Sequence, residues 1–394
     1  MLEEEIKELA KKNFTEVLNN RRHLHANPEL SFEEYNTSSF IKSKLDELGI
    51  SYKSMANTGI VALIKGDKPS SNIIALRADI DALPIQEVEG REYGSKNPGV
   101  MHACGHDVHT SSLLGTAKIL TQLKSKFGGT VKLIFQPGEE KLPGGASIMI
   151  KEGVLEDPVP QGVIGQHVMP FIEVGKVGFR SGKYMASSDE IYVRVTGKGG
   201  HAAQPQQNID PIVITAHIIT ALQQIVSRVA DPKIPSVLSF GKVRADGATN
   251  VIPNEVYLEG TFRTFDEDWR KQAHQKMKRM AEGMAESMGA TCDFEIRHGY
   301  PVLVNEEKLT ASVRSYAAHF LGEENIVDLD LWLAAEDFAY YSQSAHACFY
   351  RLGTANTPKG ITSAVHTPTF DIDENALQLG TGLMTYLAIK QLGN

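Results

Sequence analysis

Near residue 182 the hydrophobic pattern of this chain changes character, and near residue 297 it changes back. Between those points, residues 191–195 alternate apolar and polar side chains, as a half-exposed strand does. Asp210-Pro211 opens a helix that runs to about residue 229, with Pro211 suited to a first turn. Strands follow at 236–243 and 255–264, then a polar helix over 266–288 and a strand over 291–297. The order is β-α-β-β-α-β, the ferredoxin-like pattern. A complete small fold inside a longer chain obliges the two flanking stretches to build one discontinuous domain. The expected division is residues 1–183 with 297–394 in one domain, and residues 184–296 in an inserted one.

The flanks read as an α/β layered domain with a mostly parallel sheet and flanking helices. Ile6, Leu9, Phe14, Val17 and Leu18 recur at helical spacing until Asn27-Pro28 breaks the run. Phe40, Ile41, Leu45 and Leu48 mark a second helix. Apolar runs at 60–64, 73–76, 131–135 and 163–164 read as strands, the last ending at His167. Asp107 is placed to cap the helix carrying Leu113, Leu114, Ala117 and Ile119.

Candidate metal ligands gather where these strands end: Asp79 and Asp81, Cys104 and His106, Glu139 and Glu140, His167, and later His366. Ligands of open α/β sheets bind beyond the carboxyl ends of strands, so such loops can converge on one cleft. Cys104 and His106 are two apart, which puts both side chains on one side of an extended segment. A thiolate with an imidazole suits zinc or a similar divalent ion. The neighbouring carboxylates of Glu139 and Glu140 repel unless a cation or a shared proton relieves them. One can ligate while the other holds an attacking water as a general base. Asp81 can accept a ring N–H from a ligating imidazole. His109 could share a helical face with His106, and His217, among Ile214, Ile218 and Leu222, is expected to be buried or half-buried. His201 lies in the loop Gly197-Lys198-Gly199-Gly200-His201-Ala202-Ala203, where an N–H donor can stabilise an oxyanion. Asn250 and Arg263 can grip a carboxylate. Each residue alone also fits a plain role: a buried cysteine, an acidic turn, a loop histidine, a surface arginine.

The bulk properties narrow the field. A chain of 394 residues, 42% hydrophobic, can bury a large core. A formal net charge of -8 argues against nucleic acid, which needs clustered Lys and Arg. The start Met1-Leu2-Glu3-Glu4-Glu5 lacks the basic and apolar runs of a secretory signal, and no membrane association is expected. Three cysteines, Cys104, Cys292 and Cys348, make no disulfide framework and fit a reducing cytoplasm.

Taken together, these segments resemble the M20 metallopeptidase group, most closely its amidohydrolase branch of aminoacylases, hippurate hydrolases, auxin-conjugate hydrolases and N-acetyldiaminopimelate deacetylases. The resemblance is carried by Arg21-Arg22-His23-Leu24-His25 with Pro28-Glu29-Leu30-Ser31, by the stretch from Leu76 to Pro84, and by Met101 to His109. It continues through Gln136 to Glu140 with Gly144-Gly145-Ala146, Gly165-Gln166-His167-Val168, and Gly199 to Ala203. It ends with Thr249-Asn250-Val251-Ile252-Pro253, Glu336-Asp337-Phe338 and His366-Thr367-Pro368. The specificity lies in their joint occurrence in this order.

The resemblance implies a site for two divalent ions, zinc or manganese before cobalt or nickel, held by Cys104, His106, Glu140, His167 and His366. It implies Glu139 as general base, Asp81 as the acid that orients the site, and His201, Asn250 and Arg263 in substrate or oxyanion contact. It further implies a homodimer in which the inserted domain both dimerises and covers the cleft. Asp79-Ile80-Asp81 stands where many M20 peptidases have His-x-Asp, and the ligand set includes Cys104, as in the amidohydrolase branch. That favours a small N-acyl amino acid, N-acetyl or N-benzoyl for example, over general peptides. The alternatives are a dipeptidase or carboxypeptidase, a thiol amidase with Cys104 as nucleophile, and a binding protein without catalysis.

Overall fold

The computed structural model describes residues 2–393. The chain begins with α1 (Leu2–Ala26), α2 (Tyr35–Glu47), β1 (Tyr52–Met55), β2 (Gly59–Lys65), β3 (Lys68–Asp79), α3 (His106–Gln122), β4 (Gly128–Gln136) and α4 (Gly145–Lys151). It continues with β5 (Val163–Glu173), β6 (Val177–Phe179), β7 (Gly182–Met185), β8 (Ser187–Thr196), β9 (Gly200–His201), α5 (Pro211–Gln224), β10 (Ser236–Arg244), β11 (Val251–Ile252), β12 (Glu255–Thr264) and α6 (Glu267–Ser287). It closes with β13 (Thr291–His298), β14 (Leu303–Asn305), α7 (Glu307–Leu321), β15 (Ile326–Asp328), α8 (Ala339–Ser344), β16 (Ala347–Ala355) and α9 (Asn375–Gln391). Two compact units result: Met1–Gly182 with Val304–Asp330 and Asp337–Asn394, and Lys183–Leu303 with Leu331–Glu336.

The first unit is built on an eight-stranded sheet in the order β1-β2-β4-β3-β5-β16-β6-β15. Its four central strands, β4, β3, β5 and β16, run parallel, and antiparallel pairs β1–β2, β2–β4 and β6–β16 lie on either side. Central parallel strands are covered on both faces and read as unbroken apolar runs. All nine residues of β16 are accordingly buried. Helices α1, α3 and α9 pack against one another, and a small residue allows it: a Cβ on Gly115 would stand 2.6 Å from Val17 and 2.8 Å from Thr381.

The second unit carries an antiparallel sheet in the order β10-β12-β8-β13, with α5 and α6 against it. Its core joins Ile191, Val193 and Val195 of β8 to Ile214, Ile218 and Leu222 of α5 and Ala273, Met277 and Ala281 of α6. Asp210 caps α5 through the Ile212 and Val213 amides, and Asp266 caps α6 through the Trp269 amide.

Several local expectations are corrected. Gly105, not Asp107, precedes the first turn of α3, because the chain turns there at φ 81° and a side chain would strike Val168. Strand β5 does not end at His167 but runs on to Glu173. The helix from Pro211 stops at Gln224 and finishes in a π turn over Ile225–Val229. By length and apolar composition the segment 211–229 could cross a membrane. Ile214, Ile218, Leu222 and Ile225 face the sheet, which leaves His217 exposed on the opposite side rather than buried.

Candidate metal centre

Chain geometry delivers donor atoms to the carboxyl ends of the central strands. Asp79 ends β3, Glu139 and Glu140 follow β4, and His106 begins α3. His167 sits inside β5 but two residues beyond the Arg77–Gly165 pairing, which puts it level with Asp79. The Sγ of Cys104 lies 3.5 Å from His167 Nε2. One donor atom from each of Cys104, His106 and His167 falls within 4.8 Å of the others, and the same holds for Cys104, Glu140 and His366. Cys104 therefore belongs to both groups. His106, Glu139 and Glu140 form a third. His366 Nε2 is 3.1 Å from Glu140 Oε1. The His366 backbone takes a left-handed φ of 61° and donates its N–H to Ala103 O at 2.8 Å, tying its loop to the Cys104 turn.

Asp81 fixes the His106 ring. Its main-chain oxygen lies 2.9 Å and its Oδ1 3.1 Å from His106 Nδ1. Its Oδ2 accepts from the Ser31 hydroxyl at 2.6 Å and from the Glu140 N–H at 2.9 Å. The Nδ1 proton is thereby engaged, and the buried Nε2 of His106 has no hydrogen-bond partner. His109 is different, because both its nitrogens are used: Nδ1 donates to Asp79 Oδ1 at 2.5 Å, and Nε2 accepts the Val168 N–H at 2.9 Å. It braces the backbone beside His167 and offers no free donor atom.

The local field favours a positive charge at this place. Burial opposes charging His106, but Asp79 and Asp81 outweigh it and raise its pKa to about 10. Burial, helped by Arg351, pushes His167 well below the usual histidine range, so its ring is neutral and available as a ligand. Burial would raise Asp81, but the hydrogen bond to His106 and its charge hold it low. A thiol, imidazoles and carboxylates around an unpartnered buried ring nitrogen fit divalent cations. Glu139 is 5% exposed, with Oε2 3.9 Å from His106 Nε2 and Oε1 3.4 Å from the Asp337 amide.

Sequence reasoning did not single out the support behind these groups. Arg77 is buried and bonds Asp79 at 2.5 Å, Asp337 at 2.8 Å and Gln136 at 2.9 Å. The signal was available, since Arg77 and Asp337 lie inside stretches that carry the resemblance.

In the second unit, His201 and Asn250 come together and Arg263 does not join them. Strand β9 pairs with β11 (His201 with Val251), and the Ala202 N–H donates to Asn250 O at 3.0 Å. The Ala203 N–H donates to His201 Nδ1 at 3.1 Å, which places the ring proton on Nε2 and leaves an exposed donor. Arg263 pairs with Ser188 at the opposite end of β12 from Glu255, about 26 Å along an extended strand.

The chain as a whole is similar to known proteins. Residues 75–390 match the family described as Peptidase family M20/M25/M40. An N-acyl-L-amino acid amidohydrolase of Geobacillus stearothermophilus is 46% identical over 309 residues, 78% of this chain and 83% of the relative. An N-acetyl-L-cysteine deacetylase of Bacillus subtilis is 42% identical over 358 residues, 91% of this chain and 83% of the relative. A solved Bacillus subtilis structure, described as a dinuclear metal-binding peptidase of the M20 family, superposes with a TM-score of 0.84 at 37% identity, covering 97% of this chain and 99% of that one. With a family match over most of its length and relatives this similar, the chain belongs to the M20 peptidase family.

Proposed function

We propose that this chain is a metal-dependent hydrolase that cuts the acyl-amide bond of N-acylated amino acids. The observation that carries the reading is the pair of donor groups sharing Cys104, with the carboxylate of Glu139 beside them. Cys104, His106 and His167 would hold one divalent ion, and Cys104, Glu140 and His366 the other. When bound, the ions supply a water of lowered pKa and polarise the substrate carbonyl. Zinc and manganese suit this donor set best, with cobalt and nickel compatible.

Glu139 accepts the proton of the attacking water as the new C–O bond forms. It returns that proton to the leaving nitrogen as the C–N bond breaks. Asp81 holds His106 in the tautomer that keeps Nε2 turned to the ligand position. His201, through Nε2–H, stabilises the oxyanion, while Asn250 or Arg263 holds the substrate carboxylate. Arg263 sits at the end of the sheet where β8 begins and β13 ends, and His201 and Asn250 sit at the other end. The resemblance to the M20 group supports a homodimer in which the partner subunit's His201 completes the site, with the inserted domain as lid. Residues 211–227 contain no charged side chain, Ile212, Val213 and Ala216 are exposed on α5, and β10 is an open sheet edge. These features suit a second copy as the covering partner. Three cysteines without a disulfide suit the cytoplasm.

The test is hydrolysis of N-acetyl amino acids, N-benzoyl amino acids and dipeptides by native, chelated and re-metallated protein. Cleavage of the acylated compounds that vanishes on chelation and returns with metal is expected. Activity that survives chelation would turn attention to Cys104 as a nucleophile, and a preference for dipeptides would move the enzyme to the dipeptidases.

A further inference from the structure

Helix α1 carries no candidate ligand, yet one of its side chains reaches the two segments that carry His106 and His366. Arg21 is completely buried. Its Nε donates to Asp107 Oδ2 at 2.8 Å, its Nη2 to Asp371 Oδ1 at 3.1 Å and its Nη1 to Glu374 Oε1 at 3.3 Å. Asp107 directly follows His106, and Asp371 and Glu374 follow His366 by five and eight residues. Tyr93 closes the arrangement. Its ring covers the guanidinium at 4.7 Å, and its hydroxyl donates to Asp371 Oδ2 at 2.9 Å. A guanidinium is planar and permanently charged, and its donors point in fixed directions. Three carboxylates on two separate segments are therefore held at set angles around one rigid plate.

We propose that Arg21 is a positioning residue that fixes the distance between His106 and His366, and with it the second ion's place; this rests on the two-ion reading above. The effect falls unequally on the two ligands. His106 has a further anchor in Asp81, and Asp107 a further partner in His25 at 2.8 Å. The His366 side chain is 51% exposed, and among the described residues no carboxylate holds its ring from behind as Asp81 holds His106. Arg22 also holds Glu374, at 2.8 and 2.9 Å, and Tyr93 holds Asp371, so loosening the Arg21 contacts shifts this loop without releasing it, and the His366 ring, which lacks an anchor of its own, moves with it. A lysine at position 21 keeps the charge but offers one point of contact where the guanidinium offers a fork.

The experiment is calorimetric titration of metal-stripped full-length protein with manganese(II), for wild type, Arg21→Lys and the milder Glu374→Gln. Arg270→Lys, which alters a buried arginine of the second unit, is the control for general loss of stability. Wild type is expected to bind two ions. Both site variants are expected to keep the tighter one and to bind the second about 10–100-fold more weakly. Their kcat/KM should recover as manganese is raised, while Arg270→Lys binds both ions as wild type does. Two ions bound at wild-type affinity by Arg21→Lys and Glu374→Gln overturn the inference and leave the two-ion reading standing. Equal weakening of both ions in all three variants also overturns it. A wild type that holds fewer than two ions overturns the two-ion reading, and this inference with it.

Discussion

Each unit contains a buried aspartate pressed against histidines, and the two arrangements lead to different ends. In the second unit, donor atoms of Asp189, His274 and His298 fall within 4.8 Å of one another, as do the sets around Cys104. Yet Asp189 is already filled. Arg270 donates to its Oδ1 at 2.7 Å and its Oδ2 at 2.9 Å, and His274 Nε2 lies 2.6 Å from Oδ2. A metal ion there would have to displace a permanent cation. In the first unit, the same kind of grouping leaves His106 Nε2 buried and unpartnered in a field that favours positive charge. Ligand-like spacing is thus shared by a structural anchor and a candidate catalytic centre. What separates them is the donor atom left over once the hydrogen bonds are assigned.

The strongest way to break this comparison is to remove what the first unit leaves over. Glu139→Gln should keep both ions and lower kcat by about 10²–10⁴-fold, the usual contribution of a general base. Cys104→Ala should lose both ions at once, because both donor groups contain it, whereas His366→Ala should lose one. Metal analysis alongside steady-state rates decides the matter. A Cys104→Ala protein that still carries two ions would dissolve the distinction between the units, and so would loss of metal from His274→Ala.

A smaller effect is expected in the other direction. Arg270→Met strands a buried carboxylate, which costs about 3–5 kcal/mol when one partner of a buried pair is removed. Both tryptophans, Trp269 and Trp332, belong to the second unit, so their fluorescence in a urea titration reports on that unit. The midpoint should fall while metal content stays at the wild-type value. Unchanged stability would mean that Asp189 is not the anchor described here.

The two regions were also unequally legible in the sequence. The second unit is local: β8, α5, β10, β12, α6 and β13 follow one another with regular periods, so the order and its ferredoxin-like sheet could be read directly. The candidate centre is non-local. Cys104 and His366 are brought together across 262 positions, and nothing in either segment alone announces the meeting. Only the ordered set of motifs placed them in one site. What stayed hidden was hydrogen-bond assignment. His109 and His106 are three residues apart on one helix, yet one ring is saturated and the other open. The spacing of residues carries no information on that difference. Arg263 was grouped with His201 and Asn250 for the same kind of reason, since strand direction, not chemistry, sets them at opposite ends of β12.

Acid offers the finest probe of the contrast. Burial alone would raise the Asp189 carboxyl, but hydrogen bonds from His274 and Arg270 and the Arg270 charge bring it down to about 2. A folded-state pKa below the ordinary 3.8 means that the unfolded chain takes up the proton first. The stabilisation is therefore complete above about pH 4 and drains away as pH falls toward about 2. Measured by tryptophan fluorescence between pH 5 and 2, wild type should lose about 2 kcal/mol more stability than Asp189→Asn, which has no proton to bind. The difference curve between the two proteins isolates this one group from the other carboxylates that titrate in the same range. Parallel curves would mean that the Asp189 contacts persist on protonation, and the anchor would then owe its strength to packing around Arg270 rather than to charge.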